Sequence, residues 1–421
     1  MPKKRTAKRP APSLRKILLV LIAGAVCLLG VYRAFDWYQG EYLGNTVGAA
    51  VKEDLATARA LYADGEFESA RELLLPLAQR VTSRDLADEV YLLLAQAERA
   101  TGDLRAAADT ANRAITTFSD SALRPRLQVL YARCLDGLGE RDAAVALYEQ
   151  VRDTAPPELR APALSGLAAI REAQGELAEA RELYRQAERD APWGGENWAE
   201  AVEGLGRVNV ALVFSPVATD ETRVYTVESG DTLTDIGNKL NVTQGMLERA
   251  NNLQDRSYLN VGQRLLYTAK DFRIVIERST CRLFLLDKNG IFKVYSVGLG
   301  KPGQETTLGR YKVGNKQKDP TWFKPGEGPI PFGDPRNELG TRWMPLIPVD
   351  EGLPRDLGIH GTIAPETIGF FSSSGCARML NEEVEELYDL VVRSTPVDIV
   401  EVFEPAGAQP EGERPSVDQQ A

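Results

Sequence analysis

The sequence predicts a multidomain protein in which a single N-terminal transmembrane helix precedes an all-α repeat array, a small βααβ domain and a mostly-β domain. Three patterns predict this order: an uncharged run, a motif that recurs four times, and apolar residues that alternate from residue 272 onward. Helical and alternating periodicities of this kind separate helices from strands. We therefore divide the chain into residues 1–40, 47–212, 222–269, 272–403 and 404–421.

The first segment has the pattern of a membrane anchor. Seven Lys and Arg residues lie within residues 1–16, and an uncharged run of sixteen residues, 17–32, follows. That run is shorter than the roughly 20 residues that span a bilayer. Arg33 can extend its charge toward water, however, and Trp37 and Tyr38 suit the membrane interface. We predict an uncleaved single-pass signal anchor with a cytoplasmic basic tail, and a cleaved signal peptide is the alternative.

Charge supports that orientation. The whole chain carries a net charge of −10, and removal of the seven N-terminal cations leaves −17 for residues 17–421. An acidic body of this kind argues against nucleic acid or an anionic membrane surface as its partner. The segment 404–421 is rich in Pro, Gly, Glu and Gln and is predicted to be disordered.

The second segment contains an internal repeat. Each copy has a glycine, then an acidic residue, and an alanine five positions after the glycine; the spacings are 37, 37 and 36 residues. The glycine can end one helix and the acidic residue can open the next. This pattern resembles tetratricopeptide repeats, whose usual period is about 34 residues. The array either binds a partner segment on its concave face or serves as a rigid spacer. The copies begin at Gly65, Gly102, Gly139 and Gly175.

The third segment opens with a Tyr-Thr-Val-Glu-Ser-Gly-Asp-Thr-Leu stretch at residues 225–233 and closes at residues 260–265. Asp231 or Thr232 can cap a first helix and Thr243 a second. The segment resembles a LysM domain, a βααβ unit that binds N-acetylglucosamine in glycan strands. The resemblance implies sugar contacts from two loops, which contain Gly230, Asp231, Thr232, Asn251 and Asn252.

The candidate catalytic residues are concentrated in residues 359–379. His360 is the only histidine in the chain and precedes Cys376 by sixteen residues. A nucleophilic thiol needs a base, and imidazole titrates near neutral pH. Cys376 follows Ser374 and Gly375, whose small side chains leave the sulfur reachable and let backbone N–H groups converge on an oxyanion. A buried structural thiol and a core histidine would be the preferred interpretation of an isolated pair.

The surrounding motif favours catalysis. The segment resembles the active site of the L,D-transpeptidases (the YkuD-type family), which carry His-Gly-Thr followed by Ser-His-Gly-Cys-Ile/Val-Arg-Met. The resemblance covers roughly residues 272–403. Ser374 stands where the family usually has a second histidine, and Ala377 where it has Ile or Val. We expect these departures to alter rate or specificity rather than to abolish the chemistry.

The resemblance also implies residue roles. Cys376 would be the nucleophile and His360 its base, oriented by the carbonyl of Gly361. Backbone amides of the turn that contains Cys376 would form the oxyanion hole, and nearby side chains would bind the substrate. For Arg378, the alternative is a structural ion pair with Glu382 or Glu383. The oxyanion amides are those of Gly375, Cys376 and Ser374, and the substrate-binding residues are Arg378, Ser373 and Trp322.

The implied function is a peptidoglycan L,D-transpeptidase of the bacterial inner membrane, with its body in the periplasm or otherwise outside the cytoplasm. Its partners would be stem peptides, glycan strands and an envelope protein bound by the repeats, and the family is acylated by carbapenems. A carboxypeptidase using the same site and a non-catalytic peptidoglycan-binding scaffold are the alternatives. With one histidine and no Cys-x-x-Cys motif, we expect no metal and no cofactor. A disulfide between Cys134 and Cys281 would have to cross domains, so we expect buried thiols.

Overall fold

The structure, a computed structural model, describes residues 33, 44–81, 84–253, 258–324 and 326–405. The described residues form two compact units, which divide between residues 144 and 145. The predicted transmembrane run at residues 17–32 and the predicted tail beyond residue 405 lie outside the described residues. No helix in the described part of the chain is long and apolar enough to cross a membrane.

The N-terminal unit consists of repeat helices. All four motif glycines have a φ between +80° and +88°, so each turns the chain between helices in a conformation that favours glycine. The motif alanine is fully buried in every copy, which lets neighbouring helices approach closely. Asp103 caps the helix that follows it by accepting from Ala106 N at 3.1 Å. The helices are α1 (Gly44–Ala63), α2 (Phe67–Arg80), α3 (Arg84–Ala100), α4 (Leu104–Thr117) and α5 (Arg124–Gly137), and α6 (Arg141–Thr154) continues into the second unit.

The C-terminal unit begins with three further repeat helices, which pack on the sheet of the last domain. The Trp198 ring lies 4.4 Å from that of Trp193 between centroids, and Trp193 in turn stacks on Phe284 at 6.1 Å. Asn209 Nδ2 donates to the buried carbonyl of Phe292 at 2.9 Å. The end of the array is therefore covered by the sheet and is not exposed to solvent. These helices are α7 (Pro157–Ala173), α8 (Leu177–Asp190) and α9 (Glu196–Val213).

The small domain has the predicted βααβ order, with its two strands paired antiparallel. Of the two candidate caps for the first helix, Thr232 rather than Asp231 holds the position, since its Oγ1 accepts from Asp235 N at 3.1 Å. Thr243 caps the second helix by accepting from Met246 N at 2.9 Å. The elements are β1 (Arg223–Thr226), α10 (Leu233–Leu240), α11 (Gln244–Ala250) and β2 (Arg264–Tyr267).

The last domain is built on a nine-stranded sheet with two short two-stranded sheets beside it. Its elements are β3 (Arg273–Glu277), β4 (Arg282–Asp287), β5 (Gly290–Ser296), β6 (Leu299–Gly300), β7 (Gly309–Val313), β8 (Gln317–Lys318), β9 (Trp322–Lys324), β10 (Gly328–Ile330), β11 (Arg342–Pro348), β12 (Gly358–His360), β13 (Phe371–Ser373), β14 (Ala377–Arg378), α12 (Asn381–Leu390) and β15 (Pro396–Val400).

The main sheet has the order β14-β12-β11-β7-β15-β3-β4-β5, and β8 also pairs with β11. The pairs β12–β14 and β15–β3 are parallel. A tight turn at Lys288 and Asn289 joins β4 to β5, which begins at Gly290, and the alternating region from residue 272 contains three strands. The strands β12 and β14 at one edge carry the motif that contains His360 and Cys376.

Candidate active site

Cys376 lies in the turn 374–376 between β13 and β14. Gly375 in this turn has a φ of +117°, which a residue with a side chain rarely adopts. Ser373 Oγ accepts the N–H of Gly375 at 3.1 Å and donates to the carbonyl of Cys376 at 2.7 Å. One buried hydroxyl therefore fixes the conformation of the turn.

That contact changes the expected oxyanion hole. The Gly375 N–H, predicted to face a substrate oxygen, is directed instead at Ser373 Oγ, and an N–H donates fully to only one acceptor. Within the described residues, the N–H groups of Ser374 and Cys376 have no protein acceptor. Those two amides are the donors left beside the thiol.

The strand register brings the segment that carries Cys376 beside the strand that carries His360. The parallel strands β12 and β14 pair Ile359 with Ala377 and His360 with Arg378. Continuing that register by one residue sets Cys376 opposite Gly358, two residues from His360. Side chains two residues apart share a face, and strand spacing puts the two Cα atoms about 8 Å apart across the diagonal. Side chains at this separation can point toward each other.

His360 is buried and held by backbone. Its Nδ1 lies 2.7 Å from the carbonyl oxygen of Gly361. Because a carbonyl only accepts, Nδ1 carries the hydrogen, and Nε2 is left with a lone pair. Burial lowers the pKa of His360 to about 4; the Gly361 carbonyl and the Leu339 backbone oppose this shift, and the charge of Arg378 adds to it. The Trp343 ring lies 5.7 Å from the imidazole between centroids. The resting imidazole is therefore a neutral base at pH 7.

The Cys376 thiol is also neutral at rest. Burial raises its pKa to about 11, with the Gly358 backbone opposing the shift, Asp356 adding to it and Arg378 opposing it. The thiol donates to the carbonyl of Asp356 at 3.7 Å. A thiolate at this site must form by transfer of the proton to a base, and cannot be present beforehand in quantity.

Arg378 lies on strand β14, two residues after Cys376, and is 8% exposed. Its guanidinium donates to Ser372 Oγ, and its Nε is buried with no protein partner among the described residues. Burial lowers its pKa. Arg378 forms no ion pair with Glu382, Glu383 or any other described carboxylate, so the structural alternative is not what the molecule adopts. Its guanidinium remains free for an anionic group.

Asn381 is a site residue that the sequence interpretation missed. Its Oδ1 accepts from Thr341 N at 3.3 Å and Thr362 N at 3.2 Å, and its Nδ2 donates to Thr362 O at 2.9 Å. A Cβ on Gly361 would lie 2.2 Å from Oδ1, so the backbone that holds His360 lies directly against this amide. The sequence offers only a polar residue at the position where helix α12 begins, and capping is the ordinary interpretation of such a residue.

Trp322 lies apart from these strands, on the two-stranded sheet β9–β10, with Lys324 Nζ 5.1 Å from the centroid of its ring. The buried Asn337 joins this small sheet to the site. Its Nδ2 donates to Pro320 O at 2.9 Å and Ile330 O at 3.0 Å, and its Oδ1 accepts from Leu339 N at 3.0 Å. The small sheet is thus connected to the loop whose backbone meets His360.

Three of the five residues predicted to bind glycan serve the fold of the small domain. Asp231 accepts from Tyr225 Oη and Glu228 N, both at 2.8 Å, and Thr232 caps α10. Asn251 bonds to the carbonyl of Leu247 and to both backbone groups of Leu266.

Gly230 and Asn252, the other two of the five, are exposed. In the described residues, no three His, Cys, Asp or Glu side chains converge as metal ligands.

Known families and proteins match three parts of the chain. The L,D-transpeptidase catalytic domain matches residues 271–399, the LysM domain residues 225–267, and the tetratricopeptide repeat residues 55–122 and 132–195. The putative L,D-transpeptidase YqjB of Bacillus subtilis strain 168 is 35% identical over 129 residues, 30% of this chain and 70% of that protein. The putative L,D-transpeptidase YkuD of the same strain is 31% identical over 183 residues, 42% of this chain and 97% of that protein.

Among solved structures, the catalytic domain of the E. faecium L,D-transpeptidase aligns with 31% of this chain and 98% of its own, at 23% identity and a TM-score of 0.25. The sequence matches define a YkuD-type catalytic domain that follows two accessory modules. The chain belongs to the L,D-transpeptidase family and carries a LysM domain and tetratricopeptide repeats.

Proposed function

We propose that this chain is a peptidoglycan L,D-transpeptidase that cross-links stem peptides through a thioester on Cys376. The observation that supports the proposal is the strand register, which pairs Ile359 with Ala377 and His360 with Arg378. Continued by one residue, that register would set Cys376 opposite Gly358, on the face that carries His360. The tautomer of His360 supports it further, since Nδ1 is committed to Gly361 and Nε2 can accept a proton.

In the acylation step, Cys376 Sγ attacks the carbonyl carbon between the third and fourth residues of a donor tetrapeptide stem. The thiol proton passes to His360 Nε2 as the sulfur–carbon bond forms. The carbonyl oxygen gains negative charge and is stabilised by the N–H groups of Ser374 and Cys376. One such donor lowers the barrier by about 3 kcal/mol. The intermediate collapses, the terminal D-alanine leaves, and its amine takes the proton from His360.

In the second step, the side-chain amine of another stem attacks the thioester carbonyl. His360 accepts the amine proton, and the carbon–sulfur bond then breaks as the new amide forms. The proton returns from Nε2 to the departing sulfur of Cys376, so the enzyme ends as it began. Water in place of the amine would give a tripeptide and a carboxypeptidase.

Arg378 supplies the positive charge of the site. Its guanidinium is oriented by Ser372 and lacks a carboxylate partner in the described part of the chain, which suits it to hold a carboxylate of the donor stem. Ser373 acts through the turn, by holding the Gly375 amide and the Cys376 carbonyl. Trp322 belongs to the small β9–β10 sheet and would contact a longer substrate.

Substrate and compartment follow from the same proposal. Peptidoglycan lies outside the cytoplasm, so the body of the protein would act there, held by the anchor predicted at residues 17–32. The LysM domain would bind the glycan strand, and the tetratricopeptide repeats an envelope protein.

The test uses the purified full chain with disaccharide-tetrapeptide muropeptides, followed by mass spectrometry. We expect cross-linked dimers that lack one D-alanine, and a loss of at least 1,000-fold in Cys376→Ala and of 100-fold or more in His360→Ala. Cys134→Ala is the matched control, because it removes a thiol from a repeat helix. A carbapenem should add its mass to the wild type and not to Cys376→Ala.

Other outcomes change the assignment. Tripeptide monomers without dimers would establish the carboxypeptidase. If neither wild type nor Cys376→Ala modifies the stem peptides, although both proteins are folded and bind peptidoglycan, the non-catalytic scaffold becomes the preferred function.

A further inference from the structure

The LysM domain shares one hydrophobic core with the catalytic domain. Buried side chains of both domains form a single cluster, which also takes in the end of α9. A junction packed like a domain interior transmits force and resists rearrangement. The shared core includes Ile236, Met246, Leu247 and Leu265 from the LysM domain and Ile274, Leu283, Val384 and Leu387 from the catalytic domain.

The start of helix α11 of the LysM domain lies directly against the end of catalytic helix α12. A Cβ added to Gly245 would lie 2.2 Å from Asp389 Oδ1, so only glycine permits this approach. Thr243 Oγ1 donates to the carbonyl of Asp389. Arg249 Nη1 lies 3.6 Å from Asp389 Oδ2, and its guanidinium stacks 3.6 Å from the centroid of the Phe214 ring.

Both chain ends of the LysM domain are also fixed. Glu221 precedes β1 and Lys270 follows β2, and Lys270 Nζ lies 2.9 Å from Glu221 Oε2. The same Nζ lies 2.9 Å from Asp287 Oδ2 on strand β4, where the two side chains are 6% and 2% exposed. A buried ion pair of this kind resists separation, because separating the two groups would leave a charge buried without its partner.

Helix α12 connects this junction to the active site. Asn381, which holds the backbone around Gly361, is its first residue, and Asp389 is one residue from its end. Eight residues of helix span about 12 Å. One rigid helix therefore contacts the LysM domain at one end and the support of His360 at the other.

The junction leaves the predicted sugar loops open. Gly230 has no atom within 4 Å of an added Cβ, and Asn252 is exposed. A glycan held by these loops would keep a constant distance and direction from Cys376, since no hinge lies between the two domains in the described structure.

Resting on the proposed function, we propose that the LysM domain is a fixed substrate-positioning part of this enzyme, so that its preferred donor is a stem attached to a polymerised glycan strand. A tethered module raises local concentration over a wide range of positions, whereas a fixed one also sets orientation. The advantage therefore exists only for substrates long enough to occupy both domains, and a free disaccharide-tetrapeptide gains nothing from it.

The first experiment separates the domains with Gly245→Asp. The new carboxylate meets that of Asp389, while an acidic residue in the first turn of α11 favours that helix and preserves the LysM fold. We expect turnover of intact sacculi to fall at least tenfold and turnover of soluble disaccharide-tetrapeptide to stay within about twofold. Gln244→Asp, at the exposed neighbouring position, is the matched control. Gly245→Asp with Asp389→Ala should recover the polymer activity.

The second experiment locks the junction. The Cβ of Gly245 would lie 2.4 Å from Asp389 Cγ, so cysteines at both positions have β-carbons within about 4 Å and can form a disulfide. The oxidised Gly245→Cys/Asp389→Cys protein should keep full activity on sacculi, measured beside Asp389→Cys treated identically.

Four outcomes overturn the proposal. A locked protein that loses polymer turnover would show that the LysM domain must move. A Gly245→Asp protein that keeps polymer turnover, or loses both activities equally, would show that docking does not position glycan. A wild type inactive on both substrates would overturn the proposed function together with this proposal, whereas the other three outcomes leave that function standing.

Discussion

The two halves of the active site are held in different ways. The turn that carries Cys376 is fixed by residues close to it in sequence, chiefly the hydroxyl of Ser373 and the contact between Arg378 and Ser372. The strand end that carries His360 is fixed instead by distant residues. Asn381 and Trp343 contact it from other elements, 21 and 17 positions away in sequence.

This difference determines which substitutions should disturb each half of the site. A turn closed by its own side chains costs little chain entropy to form, because the loops involved are short. The base depends on helix α12 and strand β11 being packed in place, so its geometry is a property of the folded domain. Substitutions far from the motif should therefore disturb the base more than the nucleophile.

Among substitutions that test how the two halves are held, Asn381→Ala has the largest expected effect. Loss of this amide leaves Thr341 N and both backbone groups of Thr362 unpaired and frees the backbone beside His360. We expect kcat to fall about 100-fold with KM little changed, since small displacements of a catalytic group have effects of this size. The measurement is steady-state kinetics with disaccharide-tetrapeptide across a range of pH.

Two variants control this prediction. Glu382→Gln alters the exposed neighbouring position and should leave kcat unchanged, and Asn381→Asp keeps the acceptor and should retain part of the activity. An unchanged kcat in a folded Asn381→Ala protein would remove Asn381 from the positioning of the base.

Ser373→Ala should have a smaller effect, on the nucleophile half. It removes the acceptor of Gly375 N and the donor to Cys376 O, so the turn loosens while neighbouring backbone still restrains it. We expect the rate of acylation by a carbapenem to fall about tenfold. Ser373→Thr, which keeps the hydroxyl, should recover most of that rate. Equal rates in Ser373→Ala and wild type would contradict a role for this hydroxyl in the turn.

The smallest expected effect is on stability against pH. Folding lowers the pKa of His360 from its ordinary 6.5 to about 4 through burial. Between those values the unfolded chain binds a proton that the folded chain does not, so the free energy of unfolding rises with pH. At pH 5.5 this group destabilises the protein by about 1 kcal/mol relative to neutral pH. Urea unfolding from pH 5 to 7.5 should show that slope in wild type and lack it in His360→Gln, and identical slopes would mean an imidazole that is not buried.

The fold was predictable wherever a pattern repeats along the chain. Glycine spacing gave the repeat helices, and alternation gave strands β3 and β4. The number of strands in that alternating region was not predictable, because periodicity alone does not show how many times a chain reverses direction. The predicted membrane anchor lies outside the described residues and stays a prediction.

The candidate site was predictable in identity and less so in geometry. Cys376, His360 and Gly361 came from one continuous motif, and the structure places the Gly361 carbonyl against the imidazole. The predicted use of the Gly375 amide did not anticipate the hydroxyl of Ser373, since a side chain that competes for an N–H is visible only in three dimensions. Asn381 escaped notice because its partners lie up to 40 residues away.

The sequence by pattern alone predicted the order of the repeat, LysM and catalytic modules, and it singled out Cys376 and His360 as the proposed nucleophile and base. These depend on covalent neighbours and on short-range periodicity, which any stretch of chain carries with it. Tertiary structure alone decided which amides remain free beside the thiol, which helix holds the histidine, and that the LysM domain is docked rather than tethered. Such contacts join residues far apart in sequence, and they exist only where packing of the whole C-terminal unit brings those residues together.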